Sequence, residues 1–342
     1  MRVILTLVAC SACLHTSVDT DGTWTSLDDP CVSVGATREL FETRFSLLFQ
    51  PAGDTLLYSS GQTVSQYDLA TGETRVVLRS DGISQFGAVG DTIVYYESNG
   101  STDSPTPIDL IVDHGARSTS RYERISPRPN RFQAGLVTTP AGAYWWTSYD
   151  GDKANAEYWR WDPETGATAP FTLDSITFVR TDDDSFFYFD SGNRLIVRPQ
   201  HPGPPDLVVE MDPERPPPLP IGIDGDELFY VNHLDPSFEG DLVARGADGV
   251  ERVIVTDNII VSGTLAPAHV YFTVDCGLMS GNDFDERCQN LYRVPRAGGP
   301  IETFFEGDAN TTIWDVSVDG CNVYWQQFRV DGGSLYASEI MQ

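Results

Sequence analysis

The stretch Asp226–Asn232, which reads DELFYVN, decides the fold because the same pattern returns six more times along the chain. Each copy has a turn residue followed by a short strand that is centred on aromatic residues. The tyrosines of successive copies are 37, 49, 44, 42, 41 and 53 residues apart. The other copies are DTLLYSS at 54–60, DTIVYYE at 91–97, GAYWWTS at 142–148, DSFFYFD at 184–190, AHVYFTV at 268–274 and CNVYWQQ at 321–327. A period of about 40–45 residues is typical of the four-stranded blades of a β-propeller.

Further strand-like segments surround each copy. A short apolar segment precedes it, as in LPIGIDG at 219–225, and a third strand with a Gly-, Asp- or Pro-rich turn follows it, as in QYDLATGE at 66–73. A fourth strand comes next, as in ERVIVTD at 251–257. These patterns predict an all-β chain that forms a seven-bladed β-propeller with four-stranded antiparallel blades. Six or eight blades remain the alternatives.

The last copy of the repeat is incomplete. After Tyr324 only one more strand, GGSLYASEI at 332–340, precedes the end of the sequence. The segment VGATRELFETR at 34–44 stands before the first copy, and its ATREL resembles the fourth-strand sequence GETRVVL. We therefore predict that a strand at 35–43 completes the last blade and closes the ring, which would leave no open sheet edge there.

The aromatic strands VYYES, AYWWTS and NVYWQQ, together with the turn LYRVPRAGG, resemble the YWTD-type and TolB-like propellers of bacterial lipoproteins. The resemblance covers roughly residues 34–340 as a pattern of repeats. The full YWTD tetrapeptide does not occur in this chain. Members of such families bind proteins or glycans, so the resemblance implies a fold and leaves the ligand open.

The N-terminus reads MRVILTLVACSAC, with one positive charge at Arg2 and a short apolar run that is typical of a signal peptide. Leu7-Val8-Ala9-Cys10 resembles the bacterial lipobox, which implies cleavage before Cys10 and lipid attachment to its thiol. Ser11 follows the cysteine where lipoproteins kept at the inner membrane have Asp, which implies sorting to an outer membrane. An ordinary secretory signal cut a few residues later is the alternative. The predicted organisation is a signal at 1–9, a lipidated cysteine and flexible tether at 10–33, and one propeller domain at 34–342.

Export places the cysteines in an oxidising compartment, where pairing is expected. Cys276 and Cys288 flank one polar loop, so we predict a local disulfide between them. Cys31 and Cys321 are then left to join the two ends of the chain, and Cys13 would remain unpaired in the tether.

Two acidic loops carry hard oxygen ligands of the kind that Ca²⁺ prefers. The loop 275–288 contains Asp275, Asn282, Asp283 and Asp285, and the loop 149–157, predicted to join two strands of the third blade, contains Asp150 and Asp152. Neither has the spacing of an EF-hand, so calcium is a candidate cofactor and a solvated acidic loop is the alternative reading of each. No other cofactor is indicated.

Composition excludes some functions. The net charge of −28, from 50 acidic and 22 basic residues, repels phosphate backbones and argues against nucleic-acid binding. No nucleophile elbow, phosphate-binding loop, dinucleotide fingerprint or zinc spacing occurs. We therefore predict a membrane-anchored binding or scaffolding module for a protein, peptide or envelope glycan. The alternative is a calcium-dependent hydrolase or lyase with carboxylates around the central channel.

Overall fold

The computed structural model describes the strands of the chain and many of the turns between them. The described residues are 37–43, 49–52, 54–60, 63–79, 83–90, 92–98, 108–113, 119–122, 132–139, 142–149, 152–170, 179–181, 185–189, 194–199, 207–210, 218–233, 240–258, 260–274, 289–307, 311–319, 322–329 and 332–339.

The described strands form antiparallel sheets of four strands each, numbered here in chain order. Sheet 1 contains β2 (Phe49–Ala52), β3 (Thr55–Ser60), β4 (Thr63–Asp68) and β5 (Thr74–Arg79). Sheet 2 contains β6 (Ile83–Val89), β7 (Thr92–Ser98), β8 (Ile108–Asp113) and β9 (Thr119–Tyr122). Sheet 3 contains β10 (Phe132–Thr139), β11 (Gly142–Tyr149), β12 (Asp152–Trp161) and β13 (Thr168–Pro170). Sheet 4 contains β14 (Val179–Thr181), β15 (Ser185–Phe189), β16 (Leu195–Pro199) and β17 (Leu207–Val209).

The C-terminal part continues in the same way. Sheet 5 contains β18 (Leu219–Asp224), β19 (Glu227–His233), β20 (Gly240–Arg245) and β21 (Glu251–Asn258). Sheet 6 contains β22 (Ile260–Leu265), β23 (His269–Val274), β24 (Asn290–Pro295) and β25 (Glu302–Glu306). Sheet 7 contains β26 (Thr312–Asp319), β27 (Asn322–Arg329) and β28 (Gly332–Glu339) from the C-terminus and β1 (Thr37–Thr43) from the N-terminus.

The expectation of a seven-bladed propeller requires a correction. Among the described residues, the blades that consist of four consecutive strands number six, not seven. Sheet 7 is a composite, because β1 adds to β28 in an antiparallel ladder that pairs Thr37 with Ser338 and Thr43 with Gly333. The physical reason is that three C-terminal strands alone would leave the β28 edge unpaired. Within the described residues, the N-terminal strand spans Thr37–Thr43.

The core lies between neighbouring sheets. A separate cluster of buried apolar side chains fills each junction, and the junction between sheets 5 and 6 contains Phe229, Val231 and Phe272. At the seam between the composite sheet and sheet 1, Leu40 of β1 packs with Leu56, Tyr67 and Tyr324. The sheets therefore form a ring in which side-chain packing, and not a backbone ladder, joins neighbouring sheets.

The second strand of each sheet contributes side chains to the junctions with both neighbouring sheets, because side chains alternate between the two faces of a strand. One aromatic residue of each second strand packs against the preceding sheet. These residues are Tyr58, Tyr95, Trp145, Tyr188, Tyr230, Phe272 and Trp325. The repeated tyrosines are therefore not all equivalent, since Tyr144, Tyr271 and Tyr324 lie one position earlier and pack against the following sheet.

Candidate functional site

The connections between strands fall into two groups at opposite ends of the ring, because the chain direction alternates from strand to strand. Connections between the first and second strands and between the third and fourth strands of a sheet lie at one end, which we call the turn end. All other connections lie at the other end, which we call the loop end. Connections at the turn end have 2–7 residues, whereas those at the loop end have 1–15. Between the described strands, all five connections of eight or more residues, including 99–107 and 275–289, leave and re-enter the sheets at the loop end.

The turn end is closed by turns that satisfy their own polar groups. In sheet 1 the Asp68 carboxylate accepts hydrogen bonds from the backbone amides of Ala70 and Thr71, at 3.0 and 2.7 Å. Gly72 continues the turn with a φ of 73°, a conformation that favours glycine. These amide hydrogen bonds lower the pKa of the Asp68 carboxyl below its ordinary value. The turn after β12 repeats this geometry with Asp162 as the acceptor.

A cluster of ionic contacts joins sheets 5 and 6 at the turn end. Arg252 donates to the Glu227 carboxylate at 2.6 Å and to the backbone carbonyl of Arg296 at 2.7 Å. The Arg296 guanidinium in turn forms an ion pair with the Asp224 carboxylate, and both of these side chains are largely buried. The paired charges of this cluster support the junction rather than offer a free catalytic group.

Buried tyrosines provide proton donors within the sheets. Burial, together with a 2.7 Å hydrogen bond to the Glu251 carboxylate, raises the pKa of Tyr230 above its ordinary value. Arg245 donates to the same carboxylate at 2.9 Å. Burial also raises the pKa of Tyr158 to about 12. Both phenols therefore remain protonated at neutral pH, and Tyr230 acts as a hydrogen-bond donor rather than as a base.

The first strand of each sheet lies at the inner edge and lines the central channel. These strands carry few charges. In the sequence of all seven inner strands, the charged residues are Arg180, Asp224, Asp315 and Asp319. Glutamine, serine and threonine supply the polar groups instead. The inner strands therefore supply few of the carboxylates that the alternative, a calcium-dependent enzyme, would place around the channel.

Glutamine side chains connect the inner strands of sheets 1, 2 and 3. The Gln50 carbonyl oxygen accepts a hydrogen bond from the backbone amide of Ala88, at 3.0 Å, and its amide nitrogen donates to the Thr138 hydroxyl at 2.9 Å. The Gln85 carbonyl oxygen accepts from the backbone amide of Leu136 at 2.7 Å. Both glutamines therefore satisfy amide groups on the free inner edge of a neighbouring sheet.

Gly87 makes this approach possible. A Cβ atom at Gly87 would overlap the side chain of Thr138, so any other residue would separate sheets 2 and 3. The inner polar network thus depends on a close approach that only glycine permits. No sequence motif marked Gln50, Gln85 or Thr138 as a unit, because they lie on three separate strands.

Buried polar groups also occur toward the loop end, between sheets 6 and 7. The Gln327 amide donates to the Thr311 hydroxyl at 2.7 Å, and both side chains are buried. The backbone amide of Gly307 lies 3.3 Å from the Asn290 side-chain oxygen. These bonds hold together the ends of the strands from which the loop-end connections leave.

The residues predicted to form sites lie largely outside the described part of the chain. This holds for all six cysteines, including Cys10, Cys31, Cys276, Cys288 and Cys321. It also holds for the predicted calcium ligands Asp275, Asn282, Asp283, Asp285 and Asp150. The lipid, disulfide and calcium predictions stay predictions.

Asp152 requires a correction to its setting. The sequence predicted a loop over 149–157, but β12 begins at Asp152 and its backbone pairs with Tyr149 of β11. The hairpin connection is therefore only two residues long, because the ladder between β11 and β12 continues almost to the turn. Asp152 therefore lies at the start of a strand rather than in an open acidic loop.

Several tryptophan side chains are buried. Trp145, Trp161 and Trp325 are buried in the junctions between sheets, so these three belong to the core. Within the described residues, no cluster of three or more His, Cys, Asp or Glu side chains has the geometry of a metal site. No helix in that part of the chain is both long and apolar enough to cross a membrane.

Comparisons with known proteins support the fold. No protein-family model and no curated protein matches the sequence. The oligogalacturonate lyase of Vibrio parahaemolyticus matches with a TM-score of 0.60 and 12% identity, over 93% of this chain and 96% of that one. The propeller domain of the Trilobed protease of Pyrococcus furiosus, described as having an open velcro topology, matches with a TM-score of 0.56 and 12% identity, over 86% of this chain and 98% of that one.

The acylaminoacyl peptidase of Pyrococcus horikoshii matches with a TM-score of 0.56 and 13% identity, over 87% of this chain. The match covers 51% of that peptidase, so this chain spans about half of its length. Identities this low show the fold alone: the chain is an all-β propeller, similar in fold to propellers found in peptidases and in a lyase.

Proposed function

We propose that the protein is an exported, lipid-anchored β-propeller that binds a protein, peptide or envelope glycan at its loop end. The observation that carries this proposal is the gathering of all connections of eight or more residues at that end. Long connections on a rigid scaffold can vary in sequence without disturbing the core, so binding residues concentrate there.

The inner strands favour a ligand with neutral polar groups. Their glutamine, serine and threonine side chains suit sugar hydroxyls or peptide bonds better than a metal ion. This composition supports binding over the calcium-dependent chemistry that carboxylates around the channel would supply.

The export and the anchor rest on the sequence. The proposed signal is residues 1–9, with lipid on Cys10 and a tether to residue 33. The likeness to YWTD-type and TolB-like lipoprotein propellers supports this organisation, and Ser11 supports an outer-membrane location. Mass spectrometry of the mature N-terminus tests the proposal: Cys10 is expected to carry diacylglycerol, and an unmodified N-terminus would contradict it.

The disulfides are proposed with the same compartment. Cys321 directly precedes β27, and Cys31 lies six positions before β1 in the same composite sheet, so a bridge would tie the two chain ends. The second bridge joins Cys276 to Cys288 within one loop-end connection. Peptide mapping under non-reducing conditions should recover both pairs, and free thiols at these positions would refute them.

Affinity capture from the native envelope tests the binding role. We expect one reproducible partner for the intact chain and for a turn-end control, Ala247→Glu, at an exposed position. Replacing residues 276–288 by a short Gly-Asn-Gly turn should reduce its recovery. Equal recovery with both variants, or no reproducible partner, would exclude the loop end as the binding surface.

A calcium-dependent lyase is the second candidate. The match to the oligogalacturonate lyase, which spans nearly the whole of both chains, favours it. Asp275, Asn282, Asp283 and Asp285, or Asp150 and Asp152, would then supply the calcium ligands. Incubation with oligogalacturonate in the presence of calcium or of chelator decides the matter: calcium-dependent shortening of the oligomer supports a lyase, and an unchanged oligomer excludes this substrate.

A further inference from the structure

The N-terminal strand enters the ring at the turn end. Thr37, the first residue of β1, pairs with Ser338 near the end of β28. That end of β28 lies beside the start of β27, since Glu339 pairs with Asn322 directly after the two-residue turn from β26. The first strand therefore begins where the short turns lie.

A side-chain contact also places the start of β1 at the turn end. Arg38 donates from its guanidinium to the backbone carbonyl of Leu69 at 2.8 Å. Leu69 belongs to the turn between β4 and β5, which is a turn-end connection of sheet 1. Backbone pairing and this hydrogen bond thus agree on the entry point of the chain.

We propose that the turn end faces the membrane and that the loop end faces away from it. This orientation rests on the proposed lipid at Cys10, because the anchor can reach the propeller only through the segment that leads into Thr37. The loop end is then open to partners that arrive through the aqueous compartment or stand on an opposing surface, and not to lipids of the anchoring membrane.

Chain lengths make the orientation measurable. The flexible tether predicted for the 26 residues between Cys10 and Thr37 would span about 25–31 Å on average. The eight residues of β27 add a height of about 26 Å between the two ends of the ring. The loop end therefore lies about 26 Å further from the bilayer than the turn end when the ring stands upright.

The charge of the turn end indicates that the tether, rather than adsorption, holds the protein. Glu73, Glu164, Asp226 and Asp248 lie exposed at this end. Acidic side chains are repelled by the anionic surface of a bilayer, so this end has no electrostatic reason to adhere to lipid headgroups. The variant Cys10→Ser should consequently leave the membrane entirely.

Energy transfer from protein to membrane tests the orientation. The lipidated protein is placed in phosphatidylcholine vesicles that carry an acceptor dye on the headgroup, in a Cys13→Ala background. Donor dyes are attached at matched exposed positions of one sheet, Ala70→Cys at the turn end and Arg79→Cys at the loop end. A second pair in sheet 6, Ala297→Cys and Glu306→Cys, repeats the measurement on another side of the ring.

Both pairs should show about twofold more transfer from the turn-end position, given the added separation of the loop end. Equal transfer, or more transfer from the loop end, while the protein stays on the vesicles would overturn the orientation. Failure of the anchor gives a different result, since the parent protein would then float free of the vesicles just as Cys10→Ser does.

Discussion

Replacing Leu40 by alanine should weaken the seam where the two ends of the chain meet. Leu40 lies on β1, is 9% exposed, and packs with Leu56, Tyr67 and Tyr324 at the junction of the composite sheet with sheet 1. Leucine-to-alanine changes in a packed core cost about 2–5 kcal/mol, and we expect about 2–3 kcal/mol for a residue at the outer strand of its sheet. The loss combines missing apolar burial with the cavity that remains.

Guanidinium unfolding monitored by tryptophan fluorescence measures this effect, since Trp325 lies in the same sheet. The control is Glu39→Ala, an exposed neighbour on the same strand, which should change the free energy of unfolding by less than about 0.5 kcal/mol. If Leu40→Ala and Glu39→Ala have the same unfolding midpoint, β1 does not hold the seam and the composite sheet is not the closure of the ring.

Three further perturbations test other parts of the fold. Gly142→Ala should lower the free energy of unfolding by more than about 3 kcal/mol, because its φ of 147° is strained for alanine and a Cβ would overlap a backbone carbonyl of β12. The control Gly90→Ala places its Cβ in open space and should cost about 1 kcal/mol. Thermal unfolding measures both. The pKa of the Asp68 carboxyl is lowered, so its contribution to stability is complete above the ordinary value of 3.8 and is lost as pH falls through the pKa of the folded state. Asp68→Asn should therefore flatten the dependence of Tm on pH between 5 and 2. An unchanged profile would contradict this prediction. Tyr230→Phe removes the hydrogen bond to Glu251 and should lower the free energy of unfolding by about 1 kcal/mol in denaturant. An unchanged free energy of unfolding would contradict a stabilising role of this hydrogen bond.

The repeat made the strands and the propeller predictable from sequence. Aromatic and β-branched residues at a two-residue period, separated by glycine and aspartate turns, are a local signal that a single strand carries by itself. β8 shows the same signal, because the apolar residues of IDLIVD form the strand Ile108–Asp113. Local chemistry was sufficient for these elements because each strand is short and each turn is tight.

The face of the strand from which each aromatic side chain projects was less predictable. Alignment on tyrosine placed Tyr144, Tyr271 and Tyr324 in the same column as Tyr58, although they pack in opposite directions. One residue of offset reverses the face of a strand, and a tyrosine next to a tryptophan or phenylalanine leaves that offset undetermined. Counting from the preceding turn, instead of from the tyrosine, would have found the correct register.

The polar network of the inner strands was not predictable. Gln50 and Thr138 are 88 positions apart and come together because β6 carries a glycine between them in space. Glutamine and threonine are common surface residues, so neither marks a site by its type. Only the order of the sheets around the ring brings such residues into contact.

The distribution of charge limits the kinds of ligand that the channel can bind. The chain carries 50 acidic residues, yet only three of them belong to the inner strands, where Asp224 is already paired with Arg296. The acidic residues are therefore concentrated on the outer strands and connections, and they give the whole molecule a negative field without supplying ligands at the channel wall. Such a field disfavours anionic substrates, oligogalacturonate among them, unless cations accompany them. A neutral or basic ligand agrees with both the negative field and the uncharged side chains of the channel wall, and this agreement is the physical reason for proposing such a ligand rather than an anionic one.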